Sequence, residues 1–442
     1  MSTPALALRL DQIDLANPDT FVAGWPHDAF ALLRREAPVH WHPGGGKAGG
    51  FWVVSKYRDV MAAQLDSKTF SSARGGTILR EFEGEELEAN RAIMLNMDAP
   101  RHTRFRRLVN LGFSPKIVNR MALHIRDIAR NIVDAVAARG TCDFVADIAA
   151  ELPLQVIAEM VGVPIEDRHL VFRWSNQMIG FDDPEYQPSQ DVAKIASMEM
   201  FMYANQLAEE RRKRSRGDAD LVSVLIEAEV DGEKLSEVEF DSFFLLLTVA
   251  GNETTRNLIS GGMLALLQHP EERDRLLREP TLLSTAIEEM LRWVSPVMYF
   301  RRTATRDTEL RGQQIREGDK VTLWYGSANR DEDEFPEADR FDVGRTPNEH
   351  LAFGIGHHFC LGANLARLEI QIMFEELLRR LPDIELDGKV ERLRSNFING
   401  IKRMPVRFTP ERSSSRNSVS ASSSGSSSRS SPSATAATSS RP

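Results

Sequence analysis

The sequence predicts a mainly α-helical chain with small β-sheets at one side, and three observations carry that expectation. From Ile117 onward apolar residues recur at helical spacing, with Ile125, Ile128, Ile132 and Val133 on one face. Between about Ser236 and His269 runs a segment whose middle, Phe243 to Leu247, is apolar nearly all round, as in a helix that passes through a core. Strand-like segments are short and scattered: Phe51–Val54, Thr308–Leu310, Lys320–Trp324 and Lys402–Phe408.

In chain order, Val39–Trp41 reads as a hairpin partner of Phe51–Val54, and Tyr57–Gln64 as a short helix. Further helices are expected near Leu152–Val161 and Glu199–Arg212. Ser236, followed three residues later by Glu239, has the form of a capping box and should start the long helix. Inside that helix, Ala250 to Thr255 places an acid and hydroxyls among apolar neighbours. Such groups are costly to bury unless satisfied, and they could equally face a wet groove. Glu289 and Arg292 lie three apart on the amphipathic stretch Ile287–Trp293; as an exposed pair they would contribute only about 0.2–0.5 kcal/mol.

At 442 residues the chain can bury a large core, and no linker divides residues 1–411, so one domain is expected there. The net charge of -9, from 55 basic and 64 acidic residues, argues against general nucleic-acid binding and against a polybasic membrane anchor. No apolar run reaches the length that spans a bilayer, which points to a soluble, cytoplasmic protein with no membrane anchor. Residues 412–442 are mostly serine, with four arginines and no acid, and should form a disordered tail.

The most informative stretch is the loop holding Phe353, Gly356, Cys360 and Gly362 around His357, His358 and Phe359. Glycines there allow a tight turn and close approach to a flat ligand. A helix beginning near Leu361 would point its positive end at the sulfur and favour the thiolate. Only Cys142 accompanies Cys360, and no Cys-x-x-Cys or Cys/His spacing suggests structural zinc. From the loop alone three readings stay open: a nucleophile paired with His357 or His358, an inert core thiol, and the single protein ligand of a haem iron.

The spacing of this loop resembles the haem-binding signature of cytochrome P450, F-x-x-G-x-x-x-C-x-G, with Phe353, Gly356, Cys360 and Gly362 in its fixed positions. Ala250, Gly251, Glu253 and Thr254 match the A-G-x-[DE]-T segment of the same family, and Glu289 with Arg292 matches its E-x-x-R motif. His102 and Arg106 match its H-x-x-x-R pair, and the resemblance extends from Phe51 to Phe408. It implies the family's triangular prism of helices around a buried haem b (iron protoporphyrin IX), with Cys360 as metal ligand.

The resemblance further implies that His102, Arg106, Arg302 and His358 hold the haem propionates, and that Phe353 and Gly362 belong to the cofactor loop. Glu253 and Thr254 would deliver protons, and Arg340 would complete the Glu289–Arg292 network. The implied reaction is insertion of one oxygen atom of O2 into a C–H bond of a hydrophobic substrate: a sterol side chain, branched lipid or terpenoid. Electrons would come from a ferredoxin and its reductase, docked near Arg104, Arg107 and Lys116 on a monomer. Met94, Val249, Ala250, Val297, Met298 and Phe397 are the expected substrate contacts. A peroxide-driven peroxygenase and a non-enzymatic haem-thiolate sensor or carrier would share Cys360.

Overall fold

The computed structural model describes residues 8–44, 49–189, 191–213, 221–227, 229–230 and 233–411. The serine-rich segment expected as a tail lies outside them. The described residues are mainly helical, with one five-stranded sheet, one of three strands and several two-stranded ladders.

All four residues of Phe51–Val54 are buried, as suits an interior strand covered on both faces. It pairs antiparallel with Val39–His42 and parallel with Lys320–Trp324, placing Val321 opposite Trp52. The sheet continues through Tyr299–Ala304 to the edge strand Phe70–Ser71. Sequence patterning did not set out Tyr299–Ala304 as a strand, although it carries Arg302 into the interior. The expected strand over Lys402–Phe408 is two, Ile401–Arg403 and Pro405–Arg407. They break at the buried Met404, so one pairs with Glu391–Arg392 while the other joins Glu385–Leu386 and Thr141–Asp143.

The helix Pro115–Ala137 buries the face made by Ile125, Ile128, Ile132 and Val133, as its period predicts. It packs against the helix Ala363–Arg380 that follows the cysteine loop. The long helix runs from Glu237 to Gln268 and crosses the centre, against Glu151–Met160, Arg168–Ile179, Val192–Lys213, Leu283–Val294 and Ala363–Arg380. Its start is the expected capping box: Ser236 Oγ accepts the Glu239 amide at 3.3 Å, and Glu239 Oε2 accepts the Ser236 amide at 3.0 Å. Such a cap stabilises by about 1 kcal/mol.

The Glu289–Arg292 pair is not on the surface. Both side chains are fully buried, with Arg292 Nε 2.7 Å and Nη2 2.8 Å from the Glu289 carboxylate. Arg292 Nη1 also donates to the carbonyls of Asn329 and Ala338, each at 2.8 Å. Arg340 contributes only its carbonyl, which accepts from Arg292 at 3.1 Å, while its own guanidinium is exposed beside Glu337. This corrects the expected third member. Arg345 supplies it, with Nε 3.2 and 3.1 Å from the two Glu289 oxygens. The physical reason is anchoring: the carbonyls of Pro336, Glu337 and Arg340 all accept from the Arg345 guanidinium and hold it over the acid, while the Arg340 guanidinium pairs with exposed Glu337.

Candidate functional site

The cysteine loop closes on itself. The Cys360 amide donates to the Phe353 carbonyl at 2.9 Å and the Phe359 amide to that of Gly356 at 3.1 Å. Gly354 and Gly356 have φ of +68° and +73°, and a Cβ at Gly354 would lie 2.8 Å from Gln64 Nε2. The following helix begins at Ala363, two residues later than the sequence suggests, because Gly362 serves as its N-cap. The sulfur nevertheless receives the Gly362 amide. Burial pushes the Cys360 thiol up, while that amide, then Arg106 and Arg367, pull it down.

The thiol opens on a cavity of about 230 Å³ that Phe353, His358 and Gly362 share. His102 and Arg106, one turn apart on the helix Arg101–Asn110, enter its wall. The rings of His102 and His358 are 4.2 Å apart. Arg302 is buried beside them: its Nη1 donates to the Arg301 carbonyl at 2.8 Å, while Nη2 has no partner. His102 Nδ1 is likewise buried without a partner. Burial first, and neighbouring cations second, lower the pKa of His102 to about 4. Buried donors without acceptors, clustered with cations, call for acidic oxygens. A haem brings two propionates, so these residues fit it at this edge and Cys360 fits it at the iron.

From the long helix, Ala250, Gly251, Thr254 and Thr255 line the cavity. Thr254 Oγ1 donates to the Ala250 carbonyl at 2.8 Å, a back-bond of the kind that bends helices. Glu253 does not line it. Its carboxylate is fully buried on another face, ion-paired with Arg256, whose Nη1 donates to Asn176 Oδ1 at 2.7 Å. The helical step of about 100° per residue carries Glu253 round to Arg256, while Thr254 and Thr255 stay at the cavity.

The expected substrate contacts divide between the cavity and the core. Met94, Ala250 and Val297 line the cavity; Val249 turns into the main core. Met298 and Phe397 pack in a second core, joined by the Met298 amide donating to the Phe397 carbonyl at 2.8 Å. Leu246, Leu247 and Phe300 also belong to the apolar wall and were missed by sequence reasoning. So was Glu369, a buried acid of the cavity wall whose Oε2 has no partner and whose pKa burial raises well above the ordinary range. Its signal was a carboxylate four residues from Leu365, within the buried stripe of the Ala363–Arg380 helix.

A thiol in a largely apolar cavity, with unsatisfied buried donors along one edge, defines the class of haem-thiolate proteins. The family profile described as Cytochrome P450 matches residues 26–397. A steroid C26-monooxygenase of Rhodococcus jostii is 46% identical over 402 residues, 89% of this chain and 84% of that protein. A methyl-branched lipid omega-hydroxylase of Mycobacterium tuberculosis is 47% identical over 388 residues, 86% of this chain and 90% of that one. Among solved structures, a Mycobacterium marinum cytochrome P450 in complex with pseudoionone matches with a TM-score of 0.83 at 39% identity, covering 91% of this chain and all of its own. The chain belongs to the cytochrome P450 family, has its fold, and is a monooxygenase of that haem-dependent kind. Among the described residues no helix is long and apolar enough to cross a membrane.

Proposed function

We propose that the chain, as a single domain over residues 1–411, hydroxylates a sterol side chain or methyl-branched lipid by inserting one atom of O2 into a C–H bond, at a terminal methyl. The observation that carries this reading is that Cys360 and Thr254 reach one cavity from two different elements. The names of the relatives support the substrate class. The apolar wall of Met94, Leu246, Leu247, Val297 and Phe300 suits a hydrocarbon chain, which gains about 25 cal/mol per Å² on leaving water.

Cys360 would ligate the iron of haem b, with His102, Arg106, Arg302 and His358 on its propionates and Phe353 and Gly362 shaping the loop. When bound, the haem activates dioxygen, and a thiolate ligand favours O–O cleavage. The chain's own residues do the rest. The Thr254 hydroxyl, released from the Ala250 carbonyl, holds a proton at the cavity wall, and the apolar walls keep bulk water from the reacting carbon. Glu253 acts behind it, through Arg256, rather than within the cavity. Electrons come from a ferredoxin and its reductase, docking by Arg104, Arg107 and Lys116 on a cytoplasmic monomer.

The experiment is turnover with ferredoxin, its reductase and NADPH on a panel of sterols and methyl-branched fatty acids, scored for ω-hydroxylated product and for a substrate-induced spin-state change of the iron. Product from that panel supports the reading. Absence of both product and spin change across it overturns the substrate class, and an unshifted Soret band of the reduced protein under carbon monoxide overturns Cys360 as ligand.

A further inference from the structure

Adjacent acids on the helix Leu283–Val294 serve different ends. Glu289 belongs to the buried pair with Arg292, whereas Glu288 turns toward the cysteine loop. Arg367, on the first turns of the helix after Cys360, grips Glu288 with both prongs of its guanidinium: Nε to Oε1 at 2.7 Å and Nη2 to Oε2 at 2.8 Å. The same guanidinium lies over the Phe353 ring, 4.6 Å from its centroid, and the Phe353 carbonyl holds the Cys360 amide. Arg367 and the Cys360 sulfur attract each other electrostatically.

His350 closes the arrangement. Its Nδ1 accepts the Ala352 amide at 3.2 Å, which puts the ring proton on Nε2, and Nε2 donates to Glu288 Oε2 at 3.1 Å. With its side chain 3% exposed, His350 pins the carboxylate in place. Arg367 and His350 keep Glu288 ionised against its burial.

We propose that the Glu288–Arg367 pair, fixed by His350, is an electrostatic clamp that sets the reduction potential of the centre ligated by Cys360. Reduction adds negative charge at the sulfur and iron, and a nearby cation stabilises that charge in proportion to how little of it a counter-ion cancels. Arg367 supplies the cation and Glu288 cancels part of it. Both are positioning residues, since they act through Cys360 and Phe353. The inference rests on the proposed ligation by Cys360, which the Soret band of the reduced carbon monoxide complex tests on its own in the unaltered chain.

The test is a spectroelectrochemical titration of the haem-loaded full chain and its Glu288→Gln, Arg367→Gln and doubly substituted forms, each checked by that Soret band for a retained thiolate. Uncovering the cation in Glu288→Gln should move the midpoint potential positive, and removing it in Arg367→Gln should move it negative. The double form should fall between them. Arg367→Lys, which keeps the charge but loses the two-pronged grip, should stay near the unaltered value. Shifts of the same sign in the two single forms, or no shift in either, overturn the clamp, as does an Arg367→Lys shift as large as that of Arg367→Gln. Should a neutral form fail to retain haem, Arg367→Lys and Glu288→Asp decide the matter: potentials held near the unaltered value support the clamp, and displaced ones overturn it.

Discussion

His102 and His358, 256 residues apart in sequence, bring their rings to 4.2 Å of each other, with Arg302 buried beside them. None of the three has a carboxylate partner among the described hydrogen bonds, and Arg302 Nη2 and His102 Nδ1 have no partner at all. Cations and neutral imidazoles are gathered here at a desolvation cost that an arriving dianion relieves.

Removing one of these donors should loosen the haem. A hydrogen bond to a charged group contributes about 1.5–3 kcal/mol, so Arg302→Gln is expected to raise the rate of haem transfer to an apo-globin acceptor roughly ten- to a hundredfold. Unchanged transfer would remove Arg302 from the propionate edge.

The corrected network around Glu289 makes a stability prediction. Arg345→Ala removes the second cation from a carboxylate that keeps Arg292, the Asp342 amide and Asn348, and should cost about 1.5–3 kcal/mol. Arg340→Ala removes only an exposed guanidinium and should stay within about 0.5 kcal/mol. Denaturant melts of the two variants compare them directly, and equal losses would return Arg340 to the network.

Separate faces for Glu253 and Thr254 predict separate defects. Thr254→Ala should keep its melting temperature and its NADPH consumption but lose several-fold in product per NADPH, the balance appearing as peroxide. Glu253→Gln strands the buried Arg256 and should instead destabilise the chain by about 3 kcal/mol or more. A stable Glu253→Gln form would count against that ion pair.

Glu369 has a pH signature. Its folded pKa is raised above the unfolded value of about 4.3. The native state therefore holds the proton more tightly, and the stability tied to it is complete below the unfolded pKa and declines as pH rises toward the folded one. The slope approaches about 1.4 kcal/mol per pH unit. Glu369→Gln removes this term, so its stability relative to the unaltered chain should grow between pH 5 and 8; a flat difference would mean that Glu369 is ionised and paired.

Much of this protein was determined by sequence alone, because local spacing carries local structure. The capping box at Ser236, the apolar length of the long helix, the strand Phe51–Val54 and the glycine-set loop around Cys360 each depend on neighbours a few residues away. Tertiary structure decided which of two adjacent helical side chains meets the cavity or the core: Thr254 and not Glu253, Ala250 and not Val249, with Glu288 turned from Glu289 toward Arg367; in the loop it also chose Arg345 over Arg340, five residues earlier, for Glu289. A helix rotates about 100° per residue, so neighbours in sequence look onto different surroundings, and what stands there is supplied by elements up to hundreds of residues away.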